Sequence, residues 1–356
     1  MSVFSSPAFD NHELVSFHSD RSSGLRAIIA VHNTSLGPGV GGCRMFPYPG
    51  DADALHDVLR LSRGMTYKSA LAGLPMGGGK SVIIGDPHKQ KTRHLMETMG
   101  DFVNSQGGRY VAAEDSGTGV DDMRIMGERT GYVSGLDDNE YGGDPSPSTA
   151  LGVYLGIRTA AKHRLGVDTL QGLSVAIQGL GHVGYYLARY LVADGAIVWG
   201  ADVNRLNLDR AVKELGVRAV DPDEILTMEV DILAPCAMGA VLNDVSIPNI
   251  RAGIIAGAAN NQLASFDDGT NLEGRGILYC PDFLINAGGI IDVHHQRIGS
   301  GNTEKREHIE RIETTLAEVL RRADESHRQT QAIAEELAEE YLHRVSERVV
   351  PLREAC

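Results

Sequence analysis

The sequence contains no apolar run approaching the roughly 18 residues that a membrane-spanning helix requires, no long basic stretch, no internal repeat and no low-complexity segment. Its first twenty residues are broken by Asp10, Asn11, His12 and Glu13 and lack the apolar centre of a signal peptide. Against 47 acidic residues there are only 33 basic ones, a formal charge of −14. Nucleic acid and membrane surfaces are therefore poor partners. Cysteine is scarce as well: Cys43, Cys236, Cys280 and Cys356 stand far apart with no CxxC pair. That excludes a disulfide framework and a cysteine-rich zinc site, and it fits reduced thiols in the cytoplasm. The adjacent His294 and His295 have no carboxylate or cysteine spaced to complete a metal site, so no metal is expected.

What is present is glycine, 42 residues in a chain of 356, which points to tight turns and close backbone approaches to a ligand. The length suits two domains better than one core. Residues 24–32 and 80–85 read as strands from their β-branched content, and 51–72 reads as a helix with Leu55, Val58, Leu59 and Leu61 on one face. A helix over 92–106 and a strand over 108–113 complete a first α/β unit. The turn-rich run Gly142–Thr149 marks a hinge, with Ser148 or Thr149 expected to cap the next helix, which runs to about Arg164.

From Gly172 onward, strands over 174–178, 196–202, 231–236 and 253–259 alternate with helices, the pattern of a doubly wound parallel sheet. The stretch 304–349 is amphipathic, with Ile309, Ile312, Leu316, Val319 and Leu320 on one face and Ile333, Leu337, Tyr341 and Leu342 on another. This helical pair is expected to return to the first domain. The expected division is 1–146, joined by a C-terminal helix over about 328–356, as a first α/β domain, and 147–327 as a Rossmann-type domain. An active-site cleft is expected to separate them.

Gly179, Leu180, Gly181, His182, Val183 and Gly184 follow an apolar strand and open a helix, and Asp202 ends the next strand. A lone GxGxxG says little, but in this strand–turn–helix–strand–acid setting it reads as a dinucleotide site. The helix N-terminus would face the pyrophosphate, and Asp202 would bind ribose hydroxyls and repel a 2′-phosphate. NAD is favoured over NADP, although Arg205 close by blurs the choice. A flavin is disfavoured by the later segment 256–261, where Asn260 and Asn261 suit a carboxamide.

Two lysines, Lys68 and Lys80, lie in the glycine-rich segment 64–84. Lysines are seldom buried unless paired, and an ammonium in a dry pocket beside a second cation gives up its proton more easily. Gly79-Lys80-Ser81 imitates a phosphate loop, yet Leu74 stands where that motif needs glycine and a strand follows Ser81. Nucleotide triphosphate hydrolysis is therefore not expected. Asp115, just past the strand 108–113, sits where α/β sheets place ligands. Two lysines, a carboxylate and a hydride carrier together suggest oxidation of an amine.

The segments 36–48, 59–83, 108–118, 143–153, 232–243, 254–263 and 276–293 resemble the glutamate/leucine/phenylalanine/valine dehydrogenase family, most closely the leucine dehydrogenases. The resemblance implies that Lys68 binds the substrate α-carboxylate, with Gly41 and Gly42 bordering that site. By the same likeness Lys80 is the catalytic base and Asp115 the proton shuttle. It further implies that Thr149 and Asn261 lie against the nicotinamide, that Asn286 helps hold the substrate, and that the first domain is the substrate-binding and oligomerisation domain. It also puts Val40, Ala113, Ile290 and Val293 around the substrate side chain. All four are apolar, so glutamate, whose second carboxylate would go unpaired, is disfavoured. The expected reaction is reversible NAD-dependent oxidative deamination of a branched-chain L-amino acid to the 2-oxo acid and ammonia, by a homo-oligomer. The alternatives are a phenylalanine dehydrogenase of the same fold and a catalytically silent NAD-binding regulator.

Overall fold

The computed structural model describes residues 3–136, 143–237 and 239–349. Gly142, Met238 and residues 350–356, which include Cys356, lie outside the described residues. Contacts divide the chain into two units, one of 1–143, 296–299 and 338–356, the other of 144–295 and 300–337.

The first unit contains β1 (Leu14–Ser19), β2 (Arg26–Asn33), β3 (Gly39–Phe46), α1 (Asp51–Leu71), β4 (Gly77–Ile84), α2 (Arg93–Asn104), β5 (Tyr110–Glu114) and α3 (Val120–Gly127). Its sheet runs β1-β2-β4-β3-β5, with β3, β4 and β5 mutually parallel and β1 and β2 as an antiparallel hairpin against them. Alternation along the strands sorts the core into two layers. Ile28, Ala30 and Val82 turn toward Ala54, Leu55, Val58 and Leu59 of α1. Ile29, Val31, Cys43, Met45 and Ile83 turn the other way, against Leu95, Met96, Met99 and Phe102 of α2.

Helix α1 begins with Asp51 and Asp53 in its first turn, where carboxylates favour the positive end of the helix dipole. Thr92 caps α2 by accepting from the Leu95 N–H at 3.2 Å. Strand β4 starts three residues earlier than its β-branched content suggested. Of its glycines, Gly78 lies directly beneath α1, where a side chain would meet Thr66 and Ser62. Strands β1 and β3 carry no comparable run of β-branched residues, and neither was expected.

The second unit contains α4 (Ser146–Leu165), β6 (Ser174–Gln178), α5 (His182–Ala193), β7 (Ile197–Ala201), α6 (Arg205–Leu215), β8 (Arg218–Ala219), β9 (Ile232–Pro235), β10 (Ile254–Ile255), α7 (Phe266–Gly274), β11 (Leu278–Tyr279), α8 (Asp282–Ile285), α9 (Gly288–Ile298) and α10 (Asn302–Ser326). All six strands are parallel in the order β11-β10-β9-β6-β7-β8. The winding therefore reverses between β6 and β9. That is the switch point at which such sheets open a crevice for a ligand.

Neither Ser148 nor Thr149 caps α4. The helix starts at Ser146, with Pro147 in its first turn, where a missing N–H is harmless. Ser148 instead donates to Asp292, and Thr149 Oγ1 donates to the Pro145 carbonyl at 3.2 Å. The strand expected over 253–259 is only two residues long, because Gly257 and its neighbours leave the sheet across Pro235. The C-terminal stretch is two helices, α10 and α11 (Thr330–Val349), interrupted where His327 takes a left-handed conformation with φ 50°. Helix α10 groups with the second unit, and of α11 only the part from Ala338 onward groups with the first. Among the described residues, no helix is long and apolar enough to cross a membrane.

Candidate active site

Three parallel strands assemble the chemistry of the first unit. Gly78, Lys80 and Val82 alternate onto the α1 side of β4, so Lys80 is carried into the buried layer beneath that helix and is only 5% exposed. Its Nζ meets the carboxylate of Asp115, the residue that directly follows β5. Asp115 is fixed by its neighbours: Oδ1 accepts from the Ser116 N–H at 2.6 Å, and its own N–H donates to Thr118 Oγ1 at 3.1 Å. Thr118 in turn donates to the Cys43 carbonyl at 2.7 Å, tying the loop to β3.

Space for this pair is made by Gly42, which lies opposite Ala113 in the β3–β5 register. A Cβ at Gly42 would fall 2.6 Å from Asp115 Cβ and 2.8 Å from the Glu114 carbonyl, both too close to tolerate. Gly41 meets the neighbouring strand just as tightly, against the Gly79 backbone.

Burial, the largest influence on Asp115, favours its neutral form. The positive charges of Lys80 and Arg44, with hydrogen bonds from Lys80 and the Ser116 N–H, outweigh it and hold the carboxyl well below the usual range. Asp115 is thus an anion at neutral pH and the counter-ion of the Lys80 side chain it touches. Lys68 lies in the last turn of α1, half-buried. Val40 is buried on β3 and Ala113 half-buried on β5, two residues out of register with each other.

Sequence reading missed Arg44, Asp57 and Tyr48. Arg44 reaches Asp115 Oδ1 at 3.5 Å and Asp57 Oδ2 at 2.9 Å, and Tyr48 donates to the same Asp57 oxygen at 2.6 Å. The only signal was a lone arginine two residues past a glycine pair. Nothing local distinguishes it from a surface cation.

The remaining expected residues belong to the second unit. Gly179 adopts φ 93°, a left-handed value that glycine alone tolerates readily. Gly184 packs against the Gly179 carbonyl, and Gly181 faces open space, with no atom within 4 Å of where a Cβ would stand. Helix α5 starts immediately afterward at His182, and no side chain caps it. Its first N–H groups are thus left for a phosphate. Leu180 is buried, Val183 half-buried and His182 exposed. Asp202 closes the turn from the far side, its Oδ2 accepting from the Leu180 N–H at 2.8 Å and from Asn207 Nδ2 at 3.2 Å. The residues present therefore suit a dinucleotide.

Asn286, at the end of α8, donates to the Ala258 carbonyl and to Asn260 Oδ1, both at 3.0 Å, while its Oδ1 is buried without a partner among the described residues. Such an acceptor awaits a donor from a ligand. Asn261 sits in a left-handed turn with φ 51°, and Gly289 approaches Thr149 Oγ1 closely. Ile290 and Val293 lie three residues apart on α9 and share a half-buried face. The intervening Asp292 turns instead toward Ser148 and Lys305, with Lys305 Nζ at 3.0 Å. His295 Nε2 lies 3.0 Å from His308 Nδ1.

A doubly wound parallel unit with a glycine turn at its switch point, joined in one chain to a unit carrying a buried lysine–aspartate pair, defines the class: a two-unit α/β dehydrogenase. Two domain signatures and the relatives specify it further. Residues 12–132 match the dimerisation domain of the Glu/Leu/Phe/Val dehydrogenases, and residues 201–354 match the glutamate/leucine/phenylalanine/valine dehydrogenase domain. The chain belongs to this family and is an amino-acid dehydrogenase. It is 46% identical over 332 residues to the leucine dehydrogenase of Bacillus cereus, covering 93% of this chain and 90% of that one. A valine dehydrogenase of Streptomyces coelicolor is 43% identical, with 92% of each covered. Among solved structures, L-tryptophan dehydrogenase from Nostoc punctiforme superposes with a TM-score of 0.80 at 40% identity, covering 95% of this chain and 97% of that one.

Proposed function

We propose that this chain catalyses the reversible, NAD-dependent oxidative deamination of a branched-chain L-amino acid, leucine with valine and isoleucine, to the 2-oxo acid and ammonia. The observation that carries this reading is the buried contact of Lys80 with Asp115, in a chain similar to leucine dehydrogenases. The turn Gly179–Gly184, Asp202, Thr149 and Asn261 would hold the nicotinamide dinucleotide, which when bound would supply the acceptor for the substrate's α-hydride.

The chain's own residues do the rest. Lys68 binds the α-carboxylate by charge, bordered by Gly41 and Gly42. Loss of the hydride leaves an iminium carbon, and Lys80 takes a proton from the water that attacks it. Asp115 relays protons between Lys80 and the departing nitrogen, so that the carbinolamine collapses to the 2-oxo acid and free ammonia. Asn286 holds the substrate, its unpaired Oδ1 suited to an amino hydrogen. Val40 and Ala113 of the first unit, and Ile290 and Val293 of the second, are the residues assigned to the substrate side chain, and their apolar character favours an aliphatic one and disfavours glutamate. The protein acts as a homo-oligomer in the cytoplasm, with small molecules as its ligands and NAD preferred over NADP through Asp202.

Because one methylene in an apolar pocket discriminates by only about 1–3 kcal/mol, the 42% identity to L-tryptophan dehydrogenase keeps an aromatic substrate as the second reading. The test is NADH formation with leucine, valine, isoleucine, phenylalanine, tryptophan and glutamate supplied separately. Leucine is expected to give the highest kcat/KM, and a higher value for phenylalanine or tryptophan overturns the substrate assignment. Lys80→Ala is expected to lower kcat by at least about 10²-fold, the usual contribution of a positioned base, while NADH still binds. A near-normal rate would remove Lys80 from the mechanism.

A further inference from the structure

We propose that Arg44 is a positioning residue for the reaction. Bridged between Asp57 and Asp115, it fixes the shuttle carboxylate against Lys80 and sets the charge balance in which that pair exchanges its proton. The inference rests on the roles just assigned to Lys80 and Asp115 and goes a step beyond them.

The geometry is that of a charge relay anchored on four elements. Lys80 comes from β4, Asp115 from the end of β5, Arg44 from β3 and Asp57 from α1, alternating in sign as cation, anion, cation, anion. Tyr48, from the segment after β3, completes the far end by donating to Asp57 at 2.6 Å. The Cys43 thiol nearby is neutral, since burial pushes it up to about 12.

Arg44 is itself mostly buried, its side chain 19% exposed, and each terminal nitrogen is directed at a different carboxylate. Its Nε–H is buried with no acceptor among the described residues. A buried guanidinium stays charged here because its two carboxylates outweigh the burial. The planar fork is what allows one side chain to hold two anions at a set separation, which a lysine cannot reproduce. Asp115 thus has a cation on each oxygen, Lys80 at Oδ2 and Arg44 at Oδ1. Removing Arg44 leaves two carboxylates facing a single ammonium, and the Lys80–Asp115 pair then keeps its proton to higher pH. Neutralising Asp57 has the opposite sign, because it removes the outer anion and leaves Arg44 wholly to Asp115.

The experiment is the pH dependence of kcat/KM for leucine in the wild type, Arg44→Gln, Arg44→Lys and Asp57→Asn, with Lys80→Ala as control and thermal melting to verify folding. For Arg44→Gln the acid limb is expected to rise by about one pH unit, the lower end of the range for loss of a neighbouring opposite charge. Asp57→Asn is expected to move it down, and Arg44→Lys to return it toward the wild type with kcat still reduced. Limbs that stay fixed, or that move together, in folded variants overturn the inference while Lys80→Ala remains inactive. Should Lys80→Ala be active, the underlying assignment of the base fails instead. If Arg44→Gln does not fold, Asp57→Asn decides alone: a lower limb supports the proposal and an unmoved one refutes it.

Discussion

At the scale of single residues, Gly42 contributes to the site as much as the charged groups do, because it leaves the volume that Asp115 occupies. Gly42→Ala is expected to displace Asp115 from Lys80 and lower kcat/KM by at least about 10²-fold, as small misplacements of catalytic groups do. Thermal melting should show the fold retained, and kcat/KM for the variant checks the expectation. An unaltered rate would show that β5 yields without moving the carboxylate. Lys80 stood out as a candidate because lysine amid apolar glycine-rich residues is rare, Asp115 because it follows a strand, and the glycine pair only through the family resemblance. Arg44 and Asp57 were not, since their role exists only where β3 and α1 bring them together.

At the scale of elements, the β2–β4 pairing shifts register between Val31 and Asn33, which makes His32 the irregular residue. Its Nδ1 lies 2.9 Å from Thr66 Oγ1 on α1, and its ring packs edge-on against His12 with centroids 4.9 Å apart. His12 Nδ1 accepts from the Asp10 N–H and Nε2 faces the Leu59 carbonyl at 3.0 Å, so the proton sits on Nε2. Burial is the main cause that lowers both histidines, His32 to about 4. Between about pH 6.5 and pH 4, the unfolded chain binds a proton at His32 that the folded chain refuses. Stability conferred by the neutral pair is therefore complete above pH 6.5 and lost as pH falls toward 4. The melting temperature is expected to drop between pH 7 and pH 5, and His32→Asn should flatten that slope. An equal slope in the variant would assign the acid sensitivity to other groups.

The long helices were legible because burial on one face imposes a period of 3.6, as on α1, and β2 was legible from its β-branched run, since it is buried on both faces. Strand β3 was hidden by its glycines, and the start of α4 by a proline that needs no capping side chain. The division into α10 and α11 was legible because the apolar face changes between Leu320 and Ile333, although nothing in His327 announces its left-handed conformation.

At the scale of the whole molecule, the domain signature over 12–132 belongs to a dimerisation domain. The chain is expected to give, by light scattering, a mass that is a whole multiple above one of 38.2 kDa, and a mass of one chain would exclude the proposed homo-oligomer. With a formal charge of −14, assembly must bury patches where acidic side chains are sparse or paired, so the mass should depend weakly on salt.

By itself the sequence determined the class of fold and offered the glycine turn, the lysine and the aspartate as candidates, because each rests on local spacing and residue type. Only the tertiary structure decided which charges surround Asp115, that the switch point falls between β6 and β9, and that Asp292 turns away from the face shared by Ile290 and Val293. Those outcomes depend on which strands become neighbours, and strand order is set by packing across the whole sheet.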